Sequence, residues 1–218
     1  MTKTYPPERV MPAALGDVVS SLPIWFVIGG QAVRCLCPYR PSRDVDFGLD
    51  SVRHLDDFVA ALQKSGDTEI LERSDDTVHL RWQGIKVSVF MLATLAPYVE
   101  NRRLSVTGIV ATKMHAIVDR GLRRDFFDLY VVLQTQRLGI GDCLSAVREV
   151  YRQQVSDGLL LRALTYFQDA EREAALPGEG AHDFDTVKEF FLTRVGNLLT
   201  PPGKPLAIQA CRVDVRDA

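Results

Sequence analysis

The sequence predicts an α+β fold: a mixed sheet with helices in the first half, then a half built from helices alone. Three observations predict it. Short apolar or alternating runs, bounded by glycine and proline, crowd the residues before Pro97. Apolar residues recur at the helical period through most of the chain after it. At 218 residues and 46% hydrophobic, the chain can bury a substantial core.

The elements follow in order. Trp25 to Ile28 is an apolar run ending in Gly29-Gly30, a strand entering a tight turn. A short helix over 31–37 is stopped by Pro38 and Pro41. Residues 44–49 alternate polar and apolar, as a half-buried strand does. Apolar residues at 55, 58, 59 and 62 mark a helix over 52–64, closed by Gly66. Strands are predicted over 69–72, 78–82 and 85–91, the last two joined by a Gln83-Gly84 turn. Helices are predicted over 110–119, 124–136, 141–154, 159–174 and 185–199, with a loop at 177–180. Pro201-Pro202-Gly203 ends the last helix, and the tail is expected to add a strand at 206–211 or to stay mobile. The change of character gives an N-terminal unit, 1–103, and a helical unit, 104–218, expected to pack together and enclose a cleft.

The bulk properties exclude several classes. A formal net charge of −2 gives no whole-protein basic field for non-specific nucleic-acid binding. Met1 to Leu15 holds no secretory apolar run, and no stretch approaches the roughly 20 apolar residues that span a bilayer, so a cytoplasmic protein without a membrane partner is expected. Cys35, Cys37, Cys143 and Cys211 have no metal-ligand spacing and read as free thiols. His54, His79, His115 and His182 are too scattered for a zinc site.

Chemistry gathers first around Gly29-Gly30-Gln31-Ala32 and Arg43-Asp44-Val45-Asp46-Phe47. Side chains alternate across a strand, so Asp44 and Asp46 share one face, roughly 6.5–7 Å apart at the backbone. Carboxylates so spaced can converge on Mg²⁺, the hard cation that phosphoryl-type transfer uses. The glycines let backbone approach closely, and amides at the following helix start can meet phosphate oxygens. Arg43 is a candidate phosphate contact or a screen for its acidic neighbours.

The second cluster is helical. Lys113, Ala116 and Arg120 fall on one stripe, leaving room beside a small residue for an anionic ligand. On the next helix Asp125 and Asp128 share a face, while Phe126, Leu129, Val132 and Leu133 face the core. Residues 101–124 carry six basic side chains against one acid, a local patch suited to phosphate. Asp119 with Arg123 and Arg124 with Asp128 are equally spaced to form surface ion pairs. His115 reads as incidental.

Gly29-Gly30-Gln31-Ala32, Asp44 with Asp46, Lys113 with Arg120, and Arg124-Asp125 with Asp128-Leu129 together resemble the AbiEii/AbiGii toxin family, within the DNA polymerase β-like nucleotidyltransferase superfamily. The resemblance covers roughly residues 20–135. It implies a nucleotidyltransferase sheet packed on a helical lobe. It also implies a nucleoside triphosphate substrate, Mg²⁺ or Mn²⁺, an RNA (possibly tRNA) or protein acceptor, and a cognate antitoxin. Asp44 and Asp46 would be the metal ligands, and Gly29, Gly30, Gln31 and Arg43 would lie on the phosphate side. Lys113 would bind triphosphate and Asp125 would be a catalytic or positioning acid, with Arg120, Arg124 and Asp128 in support.

Two departures stand out. Gln31 replaces the serine or threonine that often follows the turn, and Ser88 stands where many relatives carry a third carboxylate. Either Asp125 supplies the missing acid, or transfer is weakened or lost. The alternatives are therefore a non-catalytic nucleotide- or partner-binding module on the same fold, or a nucleotidyltransferase acting on small molecules. The basic 101–124 stretch disfavours a cationic small-molecule acceptor.

Overall fold

The computed structural model describes residues 4–42, 44–152, 156–177 and 183–200. Strands β1 (Phe26–Val27), β2 (Val45–Leu49), β3 (Thr68–Arg73), β4 (Thr77–Trp82), β5 (Ile85–Met91), β6 (Val99–Glu100) and β7 (Arg103–Leu104) form one mixed sheet, ordered β3-β4-β5-β2-β1-β7-β6. β2 runs parallel to β5 and β1 parallel to β7, and the remaining neighbours are antiparallel. Helices α1 (Ala13–Ser20), α2 (Gly29–Leu36) and α3 (Val52–Ser65) are interleaved with these strands. Helices α4 (Val106–Asp119), α5 (Arg123–Gln136), α6 (Ile140–Tyr151), α7 (Asp157–Leu164), α8 (Gln168–Glu171) and α9 (Phe184–Leu199) follow. The fold is thus an α+β arrangement, sheet first and helices after.

Strand alternation gives the sheet two unlike faces. Val45, Phe47 and Leu49 of β2, Val78, Leu80 and Trp82 of β4, and Val87 and Val89 of β5 are buried on one side. That side is closed by α3, where Phe58 packs on Phe47 and the Trp82 indole donates to the Leu62 carbonyl at 3.1 Å. The other side carries Asp46, Ser88 and His79 in register. Beside it α2 packs on β2 and also on α4 and α5, so α2 joins the sheet to the helical region.

Several elements differ from expectation for identifiable reasons. The helix predicted over 159–174 is two, α7 and the one-turn α8. The Thr165 hydroxyl bonds back to the Leu161 and Arg162 carbonyls, and Phe167 leaves the helical path to pack on Phe126 and Phe184. α4 starts four residues early because Ser105 caps it, its hydroxyl accepting from the Gly108 amide at 3.3 Å. β6 and β7 turn on Asn101 and Arg102, at φ 50° and 61°. Arginine in the left-handed region is uncommon, so this hairpin carried no sequence signal. The tail at 206–211 lies outside the described residues, as do residues 178–180 of the expected loop.

Candidate active site

Asp46 sits in β2, and Asp44 stands just ahead of that strand. The start of α2 is pressed against Asp46. Gly29 has φ +58°, and a Cβ there would come within 2.8 Å of Asp46 Oδ2. Glycine is required twice over at this position, for the backbone angle and for the carboxylate. The Asp46 carbonyl accepts from the Ile28 amide at 3.0 Å, fixing strand and helix start together. Gln31 is fully buried. Its amide donates to the Asp44 carbonyl at 3.2 Å and its oxygen accepts from Arg34 at 3.3 Å, so it braces the approach to β2. A Cβ on Gly30 would meet Ser42 and Arg40, which fold over the turn.

Burial pushes the Asp46 carboxyl above its ordinary range; Lys113 opposes that shift and Asp44 reinforces it. Arg124 and Arg120 also favour its ionised form without reversing the outcome. The structure therefore brings Asp44, Lys113, Arg120 and Arg124 within the field of Asp46, with Lys113 on α4, Arg120 at its C-terminal end and Arg124 on α5.

Asp125 and Asp128 of α5 are treated differently. Asp128 is 1% exposed and receives Lys113 Nζ at 2.7 Å, Arg40 Nη2 at 2.9 Å and the Tyr39 hydroxyl at 2.5 Å. Asp125 has no exposed surface. Arg120 grips both its oxygens, at 2.9 and 3.0 Å, and Lys113 approaches at 3.4 Å. Burial raises both carboxyls, but these donors more than compensate, and both lie below their ordinary range. Lys113, itself 4% exposed, is thus fixed between two carboxylates. A carboxylate so occupied is a poor base.

The basic stretch of 101–124 does not form one patch. Arg102 stacks on Trp25, Arg103 is buried with its guanidinium on the Leu104 carbonyl, and Arg123 lies over Phe184. Asp128 is engaged by Lys113, Arg40 and Tyr39, partners that no helical spacing could have announced. Tyr39 and Arg40 had no sequence signal, because their partner lies 89 and 88 residues away. Arg43 lies outside the described residues. Among the described residues no group of three or more His, Cys, Asp or Glu side chains gathers as a metal site, so any cation at β2 would rest on the Asp44–Asp46 pair. Ser88 is directly beside Asp46 in register, on β5. Cys35 and Cys143 are buried free thiols, each pushed up to about 12 by burial.

Residues 17–194 match the family model described as "Nucleotidyl transferase AbiEii toxin, Type IV TA system". The chain belongs to the AbiEii nucleotidyltransferase family. Its relatives include the uncharacterized protein aq_aa25 of Aquifex aeolicus, 27% identical over 186 residues that cover 80% of this chain and 88% of that one. Among solved structures, JHP933 from Helicobacter pylori is similar at a TM-score of 0.48 and 16% identity, over 88% of this chain and 92% of that one. The antibiotic-resistance factor ANT(2'')-Ia is similar at 0.46 and 11%, over 64% and 88%. The AbiEii match spans β2, α4 and α5, and so takes in both acid pairs. Among the described residues no helix of this AbiEii protein is long and apolar enough to cross a membrane.

Proposed function

We propose that this AbiEii nucleotidyltransferase moves a nucleoside monophosphate from a nucleoside triphosphate onto a hydroxyl of an RNA, a tRNA 3′ end included, or of a protein. Asp44 and Asp46 would hold Mg²⁺ or Mn²⁺. The carrying observation is the placement of Asp46, which the left-handed start of α2 at Gly29 approaches closely and which lies in the field of Lys113, Arg120 and Arg124. Two hard-oxygen groups two residues apart, with the Gly29 backbone held close against Asp46, would suit a divalent cation. Such a cation, when bound, supplies neutralisation of the triphosphate and of the leaving pyrophosphate.

The chain's own residues do the rest. Gly29 leaves the Asp46 carboxylate room, and the first-turn amides of α2, which have no helical acceptor, can receive phosphate oxygens. Lys113, pinned by Asp125 and Asp128, presents a fixed charge toward Asp46 and the triphosphate. We assign Asp125 and Asp128 to positioning Lys113, Arg120 and Arg40, because their oxygens are already engaged. Residues 1–103 would handle the nucleotide and 104–218 would close the cleft, with a cognate antitoxin as the controlling partner.

The test incubates the protein with each labelled nucleoside triphosphate, Mg²⁺, and total RNA or lysate. Wild type should label an acceptor, and Asp46→Ala should label none while keeping its melting temperature. Equal labelling by the variant would end the proposal. Ser88, in the register position beside Asp46, favours one rival reading, a nucleotide-binding module without turnover. Tight triphosphate binding with no labelled acceptor would support that module.

A further inference from the structure

Asp46 is one end of a row of polar residues. It pairs across the sheet with Ser88 of β5, and Ser88 pairs with His79 of β4. Paired residues of neighbouring strands project to the same face, about 4.8 Å apart from strand to strand. Ser88 Oγ lies 2.9 Å from His79 Nδ1, and Phe90 meets the imidazole edge-on at 5.6 Å, fixing its plane. Ser88 is buried and His79 half-buried, on the face of the sheet opposite α3.

We propose that Ser88 and His79 form the proton relay for the acceptor hydroxyl, doing jointly what a third carboxylate would do alone. This rests on the nucleotide-transfer reading above. An acceptor O–H beside Asp46 donates to Ser88 Oγ, whose own proton donates to His79 Nδ1. As the acceptor oxygen bonds to the α-phosphorus, the bridging α–β P–O bond breaks and its electron pair leaves on pyrophosphate. The acceptor's proton passes to Ser88 Oγ, Ser88's passes to His79 Nδ1, and the imidazolium then loses a proton to water. The relay requires neutral His79 to carry its proton on Nε2. The charged residues that the register places on the same face around His79 are Glu72 of β3, Arg81 on its own strand, Lys86 of β5, and Asp46 beyond Ser88.

Ring nitrogen NMR of the full chain reads the tautomer without turnover. The proton is expected on Nε2, and a proton on Nδ1 overturns the relay. In steady-state transfer, His79→Gln and Ser88→Ala should each lower kcat about 100-fold, the lower end for general acid–base catalysis. Triphosphate KM should stay within about two-fold, and the double variant should be no worse than either single one. The acid limb of the wild-type pH–rate profile should vanish in Ser88→Asp, which should also tolerate His79→Gln. Thermal shift by Mg²⁺ and triphosphate checks that each variant is folded. A full rate or an unchanged acid limb in His79→Gln overturns the relay while Asp46→Ala, if inactive, leaves the transfer reading intact. Absence of Asp46-dependent transfer in wild type overturns both.

Discussion

Asp46 on β2 and Asp125 and Asp128 on α5 feel the same lysine, yet their charges are met in different ways. The α5 acids receive donors at hydrogen-bond distance from Lys113, Arg120, Arg40 and Tyr39, and their carboxyls fall below the ordinary range. Among the described residues Asp46 receives the field of Lys113, Arg120 and Arg124 without a hydrogen bond from them, and burial keeps its carboxyl above that range. Contact outweighs field because directed hydrogen bonds replace the lost hydration, whereas a nearby charge does so only in part. The protein thus compensates the buried charge of the α5 acids and leaves that of Asp46 only partly met.

The largest expected effect breaks the satisfied pair. Asp128→Asn would strand Lys113 and Arg40 in a buried site, at a cost of about 3–5 kcal/mol. Urea unfolding should read that loss, and melting should fall by roughly 10 °C. Because the folded carboxyl is depressed, its contribution is fully present above the unfolded value near 4 and is lost as pH falls through the folded one. The wild type should therefore lose stability on acidification below about pH 4 more steeply than the variant. A cost under about 1 kcal/mol would mean that the α5 acids are no better held than surface pairs.

Gly29→Ala tests the contact between α2 and Asp46. A left-handed angle costs alanine about 1–2 kcal/mol, and the added carbon must displace Asp46 Oδ2. Transfer should fall further than stability does, which paired rate and melting measurements would detect.

Asp46→Asn should do the reverse for stability. A raised carboxyl means that ionisation opposes folding, so removing it should stabilise the metal-free protein while abolishing transfer. The sign is testable by pH. Wild type should fall behind the variant as pH rises from near 4 through the raised folded value, and added Mg²⁺ should close the gap. Equal melting at every pH would show that Asp46 is already compensated.

What the sequence disclosed follows the same division. The alternation along β2 oriented Asp46, and the Gly29-Gly30 pair marked the turn beside it, because both signals are local in the chain; Asp44 falls just ahead of the strand. The helical stripe announced Lys113 and Arg120 for the same reason. The partners of Asp128 were illegible, since Tyr39 and Arg40 meet it only after α2 docks on α5. The row of Asp46, Ser88 and His79 depends on β2 lying beside β5, a pairing across residues that no periodicity specifies. The dispersal of Arg102, Arg103 and Arg123 reflects three different docking sites for neighbours in sequence.

The smallest expected effect separates proximity from burial. Arg81 and Glu69 on the open sheet edge approach to 2.5 Å, closer than Lys113 to Asp128 at 2.7 Å, but their side chains are 51% and 60% exposed. Water already solvates both partners, and ordering two long side chains offsets most of the Coulomb gain. Glu69→Gln should therefore change stability by less than about 0.5 kcal/mol, and added salt should shrink even that. If it instead matched Asp128→Asn, distance rather than burial would set the value of these pairs, and the contrast between Asp46 and the α5 acids would lose its physical basis.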